Sequence, residues 1–167
     1  VQYAPAQTLV KISPEVFNRL SREHENISLY KIECKPPGRY ISSLIEATKG
    51  RVGVFIGNAG YQMIEGLDRG AVGVVPGCSM YDLYLDIYEK YMADDRQGAV
   101  DTHNALLTML NHIRQDVEMI IHYEKRILHR RGLIASPTCR RPTHQPDKAY
   151  LRLFDEIYER IEPLFRT

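Results

Sequence analysis

Four times in the first half of the chain a short β-rich stretch runs into a helical pattern, and few folds accommodate that alternation. Strands are expected over 1–3, 27–33, 51–56 and 71–75, with helices over 13–22, 40–48, 61–67 and 81–92. Ser13 reads as an N-cap ahead of Pro14 at the favoured first helical position. Pro36-Pro37-Gly38, Gly57-Asn58-Ala59-Gly60 and Pro76-Gly77 punctuate the later units. Strands alternating with helices of this length form parallel βαβ units. The stretches are nearly continuous apolar runs, as required both by a doubly wound sheet and by half of an eight-stranded barrel.

Beyond Met92 the pattern is helical throughout. Helices are expected over 99–117, where Leu106, Leu107, Leu110 and Ile113 repeat at helical spacing, and then over 118–131 and 148–165. A loop containing Pro137, Pro142 and Pro146 separates the last two. The expected domains are 1–92, a half barrel, and 93–167, a helical extension.

Composition narrows the function classes. With 167 residues, 44% of them hydrophobic, the chain can bury a core. A net charge of +1 argues against a nucleic-acid binder, and no apolar run approaches a membrane span. Cys34, Cys78 and Cys139 are too scattered for a disulfide scaffold or a zinc cluster and fit a reducing, cytoplasmic setting. The chain opens on Val1 in what reads as mid-strand, without the features of a signal peptide, so a piece of a longer protein is expected.

The GNAG turn lacks the GxGxxG spacing, which weakens a dinucleotide reading. The second strand is more informative. Ile27, Leu29, Lys31 and Glu33 share one face, and Ser28, Tyr30, Ile32 and Cys34 the other. In a helix-wrapped barrel the outward face is apolar, which suits Tyr30 and Ile32 and turns Lys31 inward, near the C-terminal strand end where barrel active sites form. Partial desolvation there frees the neutral amine to attack a carbonyl. Spacing alone reads more readily as a strand-end lysine reaching for solvent, because unpaired lysines are rarely buried.

The ordered set YAPAQTLVKISPEVFNRL, ISLYKIE, VFIGNAG, RGAVGVVPG, KRILHRRGLI and RRP resembles the dihydrodipicolinate synthase / N-acetylneuraminate lyase family over essentially the whole chain. The resemblance implies an α/β fold of the (β/α)8 TIM-barrel type, here strands five to eight followed by a C-terminal three-helix layer. It implies a class I aldolase or dehydratase in which Lys31 is the Schiff-base lysine. Gly57 would then border the substrate through its backbone, and Val75 would pack beside the imine. Without the family, Gly57 reads as a tight turn and Val75 as ordinary core.

Two positions depart from the family pattern. Gln2 stands where the fifth-strand tyrosine relays a proton, and an amide is neither acid nor base near neutral pH. Gln7 stands where dihydrodipicolinate synthases place a carboxylate-clamping arginine, which counts against the lysine-pathway reaction. The VQ-x-AP and KIE-x-xPPG wording is closer to the branch acting on keto-deoxy sugar acids. The implied chemistry is imine formation with a 2-keto acid, followed by dehydration or by aldol cleavage to pyruvate. Gln2 and Glu33 are candidates to orient substrate hydroxyls, and Glu33 otherwise reads as a rim salt bridge.

The family's Thr-Thr carboxylate loop and its second relay tyrosine match nothing in this chain, so little activity is expected from it alone. Imine chemistry needs no cofactor and no metal. The expected partners are a small 2-keto acid and further copies of the chain, a homo-oligomer, with neither nucleic acid nor membrane. Dihydrodipicolinate synthase proper is one alternative. From another class, a phosphate-binding or non-catalytic half barrel kept for oligomer contacts remains, with Gly57-Asn58-Ala59-Gly60 and Gly77-Cys78-Ser79 as amide donors.

Other signals carry less. His103, His112, His122 and His129 form no HExxH pair and read as surface or packing histidines. Lys125-Arg126 with Arg130-Arg131 reads as a solvated helix face, Asp94-Asp95 as a helix-ending turn, and Ser79 lacks a nucleophile motif.

Overall fold

A computed structural model describes residues 1–166. The chain divides into two compact units, Val1–Pro76 and Gly77–Thr167. The division leaves the helix of residues 81–92 with the helical unit, whereas the sequence pattern grouped it with the strands. Its apolar face, Leu83, Tyr84 and Ile87, is buried, and it packs on the helix that follows it.

The first unit is α/β. Its strands are β1 (Gln2–Tyr3), β2 (Leu29–Ile32), β3 (Gly53–Ile56) and β4 (Gly73–Val74), and its helices α1 (Pro5–Thr8), α2 (Pro14–Glu23), α3 (Gly38–Thr48) and α4 (Met63–Asp68). The strands form one parallel sheet in chain order, β1-β2-β3-β4. Register places Gln2 beside Lys31, Lys31 beside Phe55 and Phe55 beside Gly73. The alternation expected along β2 is present: Tyr30 and Ile32 are fully buried while Leu29 is exposed and Lys31 half-buried. Val54 and Ile56 repeat the buried parity on β3.

An aromatic cluster anchors the helix-covered face. Tyr3 stacks on Tyr40, and Phe17 lies 4.8 Å from the Tyr30 ring. The Tyr30 hydroxyl donates to the Phe17 carbonyl at 2.9 Å, so the buried phenol is satisfied. Ser13 is the N-cap of α2 as expected, but its hydroxyl makes no capping bond and instead interacts with the Glu15 carboxylate.

The second unit contains α5 (Tyr81–Met92), α6 (Arg96–Ile113), α7 (Val117–Arg130) and α8 (Lys148–Ile161). Three aspartates start three of these helices: Asp95 accepts from the Gly98 amide, Asp116 from Met119 and Asp147 from Tyr150. Asp95 therefore opens α6 rather than only closing the preceding helix, and α6 begins three residues before the expected start. The basic run is not a free solvated face. Arg130 pairs with Asp155 at 2.7 Å, and Arg131 forms a bidentate pair with Asp82, which is 2% exposed. Among the described residues, no helix is long and apolar enough to cross a membrane.

Candidate active site

The face of the sheet opposite the aromatic cluster carries the polar residues, all within the first unit. Three elements meet there. β1 supplies Gln2, β2 and its C-terminal extension supply Lys31 and Glu33, and the turn after β3 supplies Gly57 and Asn58.

Glu33 is the hub. Its Oε1 lies 2.7 Å from Lys31 Nζ, and its Oε2 accepts from Gln2 Nε2 at 2.8 Å. The Asn58 amide donates to Oε1 at 3.3 Å. Lys31 and Glu33 meet because they are two residues apart on one strand and so project from the same face. Gln2 joins them because the parallel register sets it directly beside Lys31. The Glu33 main chain continues the ladder, its N–H donating to Tyr3 O at 2.8 Å.

The turn holding the Asn58 amide is tightly wound. Asn58–Gly60 is a short 3-10 turn in which Asn58 and Ala59 both have positive φ, 47° and 51°. That left-handed path is uncommon for alanine, while asparagine tolerates it. Gly57 precedes it, buried, with its amide bonded to Ile32 O at 2.8 Å. A Cβ at 57 would fall 2.1 Å from Glu33 Cγ and 2.7 Å from Ile32 O, so only glycine leaves room for the carboxylate.

The Glu33 side chain is 11% exposed. That burial alone would raise its pKa; hydrogen bonds from Lys31, the Asn58 amide and Gln2, with the attraction of the Lys31 charge, outweigh it and hold the carboxyl below its ordinary value. Glu33 is thus a carboxylate near neutral pH, with an amine and an amide in hydrogen-bond reach.

Of the residues singled out from sequence, Gln2, Lys31 and Gly57 converge on Glu33. Val75 stands apart: it lies just past β4, 40% exposed, with its amide on Ile56 O. Gln7 is exposed, with its amide on Ala4 O. The salt bridge expected of Glu33 is present, and its partner is Lys31 itself, which the i, i+2 spacing on one strand face could have indicated. The Asn58 amide left no sequence signal beyond the GNAG turn.

The two glycine turns proposed as phosphate cradles are differently engaged. The Gly57 and Asn58 amides are bonded to Ile32 O and Glu33. In the other unit, the Ser79 amide donates to Glu124 Oε2, and a Cβ at Gly77 would lie 2.3 Å from the Glu124 carboxylate. A carboxylate against each turn disfavours an anion.

The family model of the dihydrodipicolinate synthetase family matches residues 2–160. Among solved structures, the chain is similar to a dihydrodipicolinate synthase from Rhodopseudomonas palustris, at 23% identity and a TM-score of 0.85, covering 95% of this chain and 54% of that one. It is also similar to YagE, a prophage protein of the same family from Escherichia coli K12 solved in complex with pyruvate, at 17% identity and a TM-score of 0.81, covering 96% and 55%. A monomeric dihydrodipicolinate synthase variant matches at 19% identity with a TM-score of 0.78. At these identities the structures speak to the fold, and the chain spans about half their length. No curated protein matches the chain. With the family model spanning nearly all of it, the chain belongs to the dihydrodipicolinate synthetase family.

Proposed function

We propose that this chain carries the imine-forming half of a class I lyase acting on a 2-keto acid, with Lys31 as the nucleophile. The supporting observation is the Lys31–Glu33 contact at 2.7 Å on the open face of a parallel sheet, at the C-terminal side of β2. Family membership supports the aldolase-type chemistry. In this reading the four strands are the fifth to eighth of an eight-stranded barrel, residues 1–92 form the half barrel, and residues 93–167 form the extension.

Glu33 supplies the proton relay that Gln2 lacks the chemistry to supply. It takes the ammonium proton of Lys31, and the freed amine adds to the C2 ketone to give a carbinolamine. Returning the proton to the C2 hydroxyl releases water and leaves the protonated imine. That imine is an electron sink. Loss of a C3 proton to the Glu33 carboxylate gives the enamine, whose electron pair expels the C4 hydroxyl as water when Glu33 returns the proton. Alternatively, Glu33 takes the proton of the C4 hydroxyl as the C3–C4 bond breaks and an aldehyde leaves, and the resulting enamine of pyruvate takes that proton at C3 to become the imine. Water then hydrolyses the imine in either route and regenerates Lys31. Gln2, held by Glu33, is placed to hydrogen-bond a substrate hydroxyl, while Gly57 borders the substrate through its backbone and Val75, apart from the Glu33 cluster, meets the substrate side of the imine from beyond β4.

Gln2 and Gln7 favour a keto-deoxy sugar acid over the substrate pair of dihydrodipicolinate synthase, because the carboxylate clamp is an amide here. In the working enzyme the site is completed by residues outside this sequence and by assembly of further copies, and the isolated chain turns over slowly. The test is intact mass and peptide mapping after incubation with pyruvate and sodium borohydride, for the chain and for Lys31→Ala. A pyruvate-sized adduct on Lys31, absent in the variant, supports the reading. An adduct on another lysine removes Lys31 from its role; none on the folded chain means that this half does not activate its lysine unaided and leaves the assignment resting on family membership alone.

A further inference from the structure

Three histidines from three different elements of the second unit meet in one aromatic cluster. His112 comes from α6 and is buried, His122 from α7, and His144 from the segment joining α7 to α8. His122 and His144 have ring centroids 5.7 Å apart. Tyr123 lies 5.3 Å from His112 and 5.8 Å from His144, and Tyr150 lies 5.8 Å from each. The His112 Nε2–H donates to the Tyr150 carbonyl at 3.1 Å, tying the first turn of α8 to α6. The Nε2 atoms of His122 and His144 are sealed from solvent and have no hydrogen-bond partner among the described residues.

The surrounding charge is unfriendly to protonation. Arg126, one turn along α7 from His122, adds a fixed cation. The carboxylate of α8 nearest to that arginine, Asp155, is taken up by Arg126 at 3.5 Å and Arg130 at 2.7 Å. Asp147 is occupied as the α8 N-cap. Burial pushes the Tyr123 phenol pKa up, so it supplies no anion near neutral pH. Apart from the Tyr150 carbonyl that accepts from His112, each imidazolium formed here therefore meets another imidazole, a cation or an aromatic wall rather than an open carboxylate. Residues 139–147 contain no helix or strand, so packing of the His144 ring is a principal tie holding that segment down.

We propose that the His112–His122–His144 cluster forms an acid-sensitive latch, closed at neutral pH, that releases residues 139–147 and the first turn of α8 from α6 and α7 on acidification. Burial, then the proximity of His144 and Arg126, lowers the pKa of His122; burial, with the proximity of His144, outweighs the hydrogen bond to Tyr150 O and lowers that of His112. The released state therefore binds more protons than the closed one, and closure weakens as pH falls through the ordinary histidine value.

The test is hydrogen–deuterium exchange of the 167-residue chain at pH 7.5 and pH 5.0, corrected for the intrinsic pH dependence of exchange. Protection of peptides covering 141–152 is expected to fall about tenfold at the lower pH, reversibly, while peptides of α2 and α3 change little. In His122→Gln and His144→Gln the drop is expected to shrink to about twofold or less. Unchanged protection in the parent chain, or an equal drop in the variants, would overturn the latch. An NMR titration of the parent chain tests it without any variant: imidazole midpoints for His112 and His122 at or above that of unfolded histidine would overturn it.

Discussion

Gly57 makes the room in which Glu33 meets Lys31: a Cβ at 57 would sit 2.1 Å from Glu33 Cγ and 2.7 Å from the Ile32 carbonyl oxygen. One clash is with a side chain that can swing away, and the other is with backbone inside the β2–β3 ladder, which cannot. Gly57→Ala is therefore expected to destabilise the chain by about 1–3 kcal/mol and to displace the carboxylate from Lys31. Urea unfolding reads the first effect, and the yield of borohydride-trapped pyruvate reads the second. A variant as stable as the parent with undiminished trapping would show that the turn yields without disturbing Glu33.

Glu33→Gln keeps the shape and removes the acid. If the carboxylate moves protons during imine formation and enamine formation, turnover in the complete enzyme is expected to drop by about 10²–10⁴-fold. Trapping at Lys31 is then slowed but not abolished, because the amine remains. Stability carries a matching pH signature. The Glu33 pKa is lowered in the folded chain, since bonds from Lys31, Asn58 and Gln2 overcome the effect of burial. Its contribution is thus present above the ordinary glutamate value and lost as pH falls through the folded one. Urea midpoints between pH 6 and pH 3 are expected to fall more steeply for the parent than for Glu33→Gln. Parallel curves would assign the acid lability to other carboxylates.

The strand-helix alternation and the two faces of β2 were legible because period two and apolar continuity are local properties of the chain. Tyr30 and Ile32 go inward wherever the sheet is covered on one side. The partner of Lys31 was harder to see. Glu33 was visible as a charge at a strand end, yet its bonds to Gln2 and to the Asn58 amide depend on parallel register, which joins residues 31 and 25 positions apart. The same limit explains the helical unit. Arg131 belongs to an apparently solvated basic run, and only the packing of α5 brings it to Asp82, 49 residues away. Asp95 and Asp116 were readable as caps by position, and missing them displaced the expected starts of α6 and α7, whereas α8 starts at Lys148 as expected, behind Asp147.

The aromatic cluster separates packing from hydrogen bonding. Phe17 is 2% exposed and touches Tyr3, Tyr30 and Tyr40, so Phe17→Ala opens a cavity at its centre. A loss of about 3–5 kcal/mol is expected. Tyr30→Phe keeps the ring and removes only the donor to the Phe17 carbonyl, and is expected to cost about 1 kcal/mol. Urea unfolding followed by far-UV circular dichroism distinguishes them. Equal costs would mean that the hydroxyl, not the ring, holds α2 on the sheet.

Asp82 and Arg131 test the helical unit in the same way. Arg131 Nη1 donates to Asp82 Oδ1 at 2.9 Å and Nη2 to Oδ2 at 2.7 Å, and the Arg166 amide adds a third donor to Asp82 at 2.9 Å. The arginine is further stacked 4.3 Å above the Phe165 ring. Removing one partner leaves a buried charge with too few donors, so Arg131→Met is expected to cost about 3–5 kcal/mol. Removing both is different in kind, because the desolvation of two ions disappears together with their attraction. Asp82→Leu combined with Arg131→Met is therefore expected to be more stable than Arg131→Met alone, by about 1–4 kcal/mol. The double-mutant cycle, read from urea midpoints at constant m-value, isolates that coupling. Additive losses would mean that the Arg166 amide and the aromatic stack, rather than the ion pair, hold α7 against α5.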